Sequence, residues 1–139
     1  MELITHRRQA DALLGNKLGR YGYADLNRVE QAVKTLAGYA KCIHADPKLT
    51  CKTDWGLPGA FSPEAWPVKS QMVRYLSNVR ALGERYAPQC PLPQSMENLP
   101  WQGANQIEQA LLCVREVLVE RLHTFQFSGE LIAGEENTV

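Results

Sequence analysis

At 139 residues the chain has the length of one domain, able to bury most of its apolar surface without disulfide or metal staples. With 45% hydrophobic and 22% charged residues it sits among ordinary globular chains, away from the polar, highly charged composition of disorder. Fifteen basic residues balance fifteen acidic ones, so no net field draws in phosphate backbones or anionic lipid, and neither nucleic acid nor a membrane is expected as a partner.

In chain order, Glu2-Leu-Ile-Thr5 is a short apolar start, followed by a helix over His6 to Leu14 with Thr5 as its cap and Gly15-Asn16 as its stop. A loop holding Gly19 and Gly22 leads to a longer helix starting near Asp25. There Leu26, Val29, Val33, Leu36, Ala40 and Ile43 recur at steps of three and four. Asp25 is the expected N-cap and Asp46-Pro47 the stop. Leu49-Thr-Cys-Lys-Thr-Asp-Trp55 alternates apolar and polar residues and predicts a short strand. An isolated strand leaves its backbone unpaired, so its partner is expected in Phe125 to Ile132 or in Glu2 to Thr5. After a connector from Gly56 to Pro67, Met72, Tyr75, Leu76, Val79, Leu82 and Tyr86 mark a second long helix that ends before Pro88. A second Pro-rich connector ends at Pro100, which suits a first helical turn. Beyond it Ala104, Ile107, Leu111, Val114 and Leu118, widened by Leu112, Val117, Val119 and Leu122, predict a third long helix at the centre of the bundle. The expected fold is therefore mainly α: one domain over 1–139, a bundle of three long helices plus a short N-terminal helix, with a minor β element near the C-terminus.

Candidate chemistry is sparse. His6, His44 and His123 lie at predicted helix surfaces or ends with no nucleophile motif beside them, and are expected to be solvated. Cys42, His44, Asp46 and Cys51 form a local group of metal-ligand types, yet the first three alternate near a helix end and cannot face one point in regular helix. Cys42, Cys51, Cys90 and Cys113 show no CxxC pairing and are expected as reduced thiols. Neither GxxxxGK[ST] nor GxGxxG occurs, so no nucleotide or other cofactor is expected. Glu116 and Glu120 with Arg115 and Arg121 read as a solvated helix face, and His6-Arg7-Arg8 as a polar helix surface. Catalytic, cofactor-binding and metal-binding residues are expected to be none, and the protein is not expected to be an enzyme. The start of the chain lacks the apolar run of a signal peptide and no stretch has the length of a membrane span, which predicts synthesis in the cytoplasm.

Partner contacts are the remaining place to look for function. Trp55, Trp66 and Trp101 fall in loops or at helix starts, where tryptophan either locks a loop onto the bundle or anchors a partner. Phe125, Phe127, Leu131 and Ile132 make an apolar tail that either pairs within the domain or adds a strand to a neighbour's sheet edge. These seven residues are the candidate partner-binding set.

Several runs together resemble a family of small proteins encoded by tailed bacteriophages and prophages, mostly of Gram-positive hosts. They are Ile4-Thr-His-Arg-Arg-Gln-Ala-Asp11, Tyr23-Ala-Asp-Leu-Asn-Arg-Val-Glu30, Lys52-Thr-Asp-Trp55 and Ser70-Gln-Met-Val-Arg-Tyr-Leu-Ser-Asn-Val-Arg-Ala81. Leu92-Pro-Gln-Ser-Met-Glu-Asn-Leu99, Gly103-Ala-Asn-Gln-Ile-Glu-Gln-Ala-Leu111 and Phe127-Ser-Gly-Glu-Leu-Ile-Ala-Gly-Glu135 complete the set. The resemblance spans nearly the whole chain, and the order and spacing of the runs carry it. It departs from the family at Gly15 to Tyr21, which is shorter than the charged helical insert found there. The resemblance implies a virion component of the tail, at its tip, baseplate or fibre attachment, without enzymatic activity. It would bind other copies of itself and other phage tail proteins in a symmetric assembly. The rival expectation is a phage-encoded protein outside the virion that binds and occludes a host factor. A third, a hydrolase using Cys51 or His44, requires a nearby base that the sequence does not offer.

Overall fold

The computed structural model describes residues 2–16, 18–19, 21–56 and 69–136, with 125–136 as backbone alone. The chain is mainly helical: α1 (Gln9–Leu14), α2 (Tyr23–Cys42), α3 (Lys69–Tyr86) and α4 (Trp101–Glu136). The three stripes form one core. Val29, Leu36, Val79, Ile107, Leu111, Val114 and Leu118 are all 0% exposed, each contributing about 1.5–3 kcal/mol on burial. Helix α4 packs against both α2 and α3, as the breadth of its stripe predicts.

The three long helices run in the same direction. Arg28 early in α2 pairs with Glu108 early in α4, Arg74 early in α3 pairs with Glu30 of α2, and Arg121 far along α4 lies over the ring of Tyr86 at the end of α3. Parallel neighbours need long returns, and the chain makes them with extended segments laid along the grooves between helices. Residues 2–7 lie by α2 and α4, residues 49–55 by α2 and α3, and residues 90–99 by α3 and α4.

Helix ends differ from expectation in ways that side-chain hydrogen bonding explains. Helix α1 begins at Gln9 rather than His6, because the backbone amide of Arg8 donates to the Asp11 carboxylate (2.9 Å), and the Asn16 amide donates to the same group. Residues 2–8, including Thr5, are not helical. Asp25 is not the N-cap of α2 but its third residue, reaching back to accept from the amide of Gly22 at 2.8 Å. Helix α2 stops at Cys42, short of Asp46-Pro47, and His44 then takes a left-handed φ of 60°.

The minor β element is corrected: no strand occurs among the described residues. Residues 125–132 continue α4, since extending an established helix adds one hydrogen bond per residue whereas a strand there would need a partner. The predicted strand at 49–55 is extended, but it pairs with helix side chains. The carbonyl of Thr50 accepts from Asn78 (2.7 Å) and Arg74 (2.8 Å), and the amide of Lys52 donates to Glu30 (3.0 Å).

Candidate functional site

Among the buried polar groups, Glu30 and Glu108 centre two clusters built to one plan. On α2 the run Asn27-Arg-Val-Glu-Gln-Ala-Val33, and on α4 the run Asn105-Gln-Ile-Glu-Gln-Ala-Leu111, share Asn, Glu, Gln and Ala at the same spacing. Each Asn reads the backbone of one residue in an extended segment. Asn27 accepts from the amide of Trp55 (2.7 Å) and donates to its carbonyl (2.9 Å). Asn105 accepts from the amide of Arg7 (3.1 Å) and donates to its carbonyl (3.0 Å). Asn and Glu three residues apart share a helix face, so the Glu meets the same segment one step further on. Glu30 accepts from the amide of Lys52, three residues before Trp55, and Glu108 accepts from the amide of Ile4, three residues before Arg7.

The correspondence extends to the side chains. Glu108 Oε2 accepts from Arg7 Nη2 (2.7 Å), and Arg28 of the neighbouring helix grips both carboxylate oxygens, at 2.7 and 2.8 Å. Glu30 Oε2 accepts from Trp55 Nε1 (2.6 Å), and Arg74 of its neighbouring helix grips both oxygens, at 2.7 and 3.0 Å. Trp55 and Arg7 are thus equivalents, each a nitrogen donor reaching the Glu from the residue that the Asn holds. Each carboxylate accepts four hydrogen bonds, which fills its acceptor sites.

The electrostatics suit burial. Burial opposes the charge of Arg28, but its hydrogen bonds to Glu108 and Asp25 outweigh that and raise its pKa; the hydrogen bonds to Glu30 raise that of Arg74. Asp25 also bonds Arg7 (3.1 Å) and Arg28 (2.6 Å), so the cluster around Glu108 holds two cations and two anions and is formally neutral. Beside it the hydroxyls of Tyr21 and Tyr75 bond each other, and burial pushes both phenols upward.

Trp55 leaves the partner-binding set: at 1% exposure, with its indole N–H bonded to Glu30, it locks its segment onto the bundle. Trp101 is half-buried at the start of α4. Trp66 lies outside the described residues, as do the side chains of Phe125, Phe127, Leu131 and Ile132, whose backbone is helical. The polar surface expected at His6-Arg7-Arg8 is also corrected. His6 and Arg8 are exposed, but Arg7 is 4% exposed because the segment turns it into the α2–α4 groove, where two carboxylates offset its desolvation. Glu116 and Glu120 are exposed with Arg115 and Arg121.

Among the described residues no group of three His, Cys, Asp or Glu side chains could hold a metal ion. Cys51 is half-buried and its thiol is pushed up by burial and by Glu30, the reverse of what a thiolate nucleophile needs. A cavity of about 450 Å3 between α3 and the second connector is lined by Met72, Val73, Leu76 and Met96 together with Lys69 and Arg80. No described helix is long and apolar enough to cross a membrane.

The clamps were missed because a lone Asn or Glu on a helix reads as solvated. The signal that exposes them is the chain's similarity to itself at Asn27–Val33 and Asn105–Leu111, found only by comparing one helix with another. Comparison with other proteins adds nothing to this: no family model, no curated protein and no solved structure matches the chain.

Proposed function

We propose that the protein is a structural subunit of a bacteriophage virion, at the tail tip, baseplate or fibre attachment, acting through contacts with copies of itself and with other tail proteins. The observation that carries this reading is the length of α4. Its 36 residues span about 54 Å, against about 30 Å for the 20 residues of α2. Leu118 is its last fully buried residue among those with described side chains, and Val119 is already 44% exposed. A helix of this length depends on packing for its stability in water, and we read its last turns as the part that a neighbour packs against. It serves as a docking arm once a neighbour covers it.

The resemblance supports the same reading. Arg7, Asn27, Glu30, Trp55, Asn105 and Glu108, all in the runs that carry it, hold extended segments in place inside the protein. Residues spent on architecture suit a scaffold whose surface does the work.

The test is quantitative mass spectrometry of purified particles from the phage or prophage encoding the chain, with and without residues 125–139. The expected result is a fixed ratio to a known tail protein, lost on truncation while the bundle keeps its helical circular dichroism. Absence of the full-length protein from particles, with abundance in infected cells, overturns the proposal in favour of a protein that occludes a host factor.

A further inference from the structure

We infer that the cavity between α3 and the second connector receives the acidic, apolar tail of α4 from a second copy of the chain. The cavity lies in the one groove of the three that neither clamp serves. Glu108 holds the segment in the α2–α4 groove and Glu30 the segment in the α2–α3 groove, whereas the connector in the third is tied to α3 by Arg80, which donates to the Pro93 carbonyl (3.1 Å). The space left there, about 450 Å3, has an apolar lining of Met72, Leu76 and Met96. Val73 beside them is 61% exposed, and the two methionines can adapt to an incoming side chain. Lys69 and Arg80 line the same cavity, and among the described residues neither is within ion-pair distance of a carboxylate. Glu97 lines it too, which leaves one cation in excess.

The tail has the matching chemistry. From Phe125 to Val139 the chain carries Glu130, Glu135 and Glu136 and no lysine or arginine, with Leu131 and Ile132 between the carboxylates. Its own cavity is out of reach. Arg121 lies over the Tyr86 ring, so on the parallel α3 Leu76 is level with α4 near Leu111. Residues 125–136 continue α4, which carries Leu131 about 30 Å beyond that level. A second copy therefore supplies the tail. Contact between a cavity on the side of one copy and a tail at the end of another is heterologous, so copies add head to tail into a ring or a filament. The inference rests on the reading of the protein as one that contacts copies of itself, and it names the two surfaces that meet.

The experiment is sedimentation velocity of the purified full-length protein from about 1 μM to about 0.2 mM, a range that registers a contact of micromolar strength. The native protein should self-associate, less so as salt is raised, because charges at an exposed rim are screened. K69E/R80E in the cavity and E130K/E135K/E136K in the tail should each weaken association by about tenfold or more while helical circular dichroism is kept. Mixing these two variants should restore it, since each acidic tail then meets a basic cavity and each basic tail an acidic one. V73D, at an exposed residue, should weaken association without touching the bond from Arg80 to Pro93. A native protein that stays monomeric throughout, association that ignores both charge reversals, or a mixture that fails to restore it would overturn the inference. The virion reading is decided separately by the particle measurement, so either can fail alone.

Discussion

Replacing Glu108 by Ala tests whether the buried clamp holds the N-terminal segment. Glu108 is fully buried and accepts four hydrogen bonds, from the Ile4 amide, Arg7 Nη2, and Nε and Nη2 of Arg28. Without it Asp25 alone faces two guanidinium groups. The Arg7 side chain, 2% exposed, cannot turn to water, whereas that of Arg28, 21% exposed, partly can. Breaking a buried pair from one side costs about 3–5 kcal/mol, because the remaining charge stays desolvated. With an unfolding entropy of roughly 0.3 kcal/mol/K for a chain of this length, a loss of about 4 kcal/mol lowers the melting temperature by roughly 14 °C. Urea unfolding followed by circular dichroism reads the loss directly. E108Q, which keeps an acceptor for the Ile4 amide, should lose less. E30A should also lose less, about 3 kcal/mol, since the Arg74 side chain is 26% exposed and can hydrate. E116A, on the exposed face, should stay within about 0.5 kcal/mol of the native protein. An E108A protein within about 1 kcal/mol of the native one would refute the claim that this carboxylate is the hub of the cluster.

Other perturbations address separate parts of the fold. N27A and N105A each remove a two-bond grip on the backbone of one residue and should cost about 2 kcal/mol, with amide exchange accelerated at Trp55 in the first and at Arg7 in the second; exchange that speeds up evenly along the chain would count against two local clamps. G56A should cost about 2–3 kcal/mol in urea unfolding, because Gly56 has φ 70° and an added Cβ would lie 2.4 Å from the Tyr23 ring; a neutral substitution would show that this turn is not held as described. Alkali should destabilise the protein. Burial raises Tyr21 and Tyr75 in the folded state, so above their ordinary pKa of 10 the unfolded chain releases protons that the folded one keeps. Stability is then intact below that pH and falls as pH rises, by up to about 1.4 kcal/mol per pH unit for each tyrosine. The Y21F/Y75F double variant should show a shallower fall above that pH in urea unfolding, and an unchanged slope would sink the assignment.

The three long helices were legible because each carries an apolar stripe at helical spacing, with proline close by in the connectors between them, features that act within a few turns of chain. The segment at 49–55 was legible as extended, since its alternation is also local. The residues that satisfy its backbone were not, because Asn27, Glu30, Arg74 and Asn78 come from two helices that meet only in the folded bundle. Arg7 shows the same limit more sharply: in the chain it is one of two adjacent arginines, and only the α2–α4 groove decides that it is buried while Arg8 is not. Local spacing determined which segments are helices and which of their faces are apolar. Tertiary structure decided that the helices run parallel, that extended segments fill the grooves between them, and that Glu30 and Glu108 are buried with their cationic partners. The physical reason is that a charge or an unpaired amide enters the interior only where partners distant in sequence arrive together, and that meeting is a property of the packed helices.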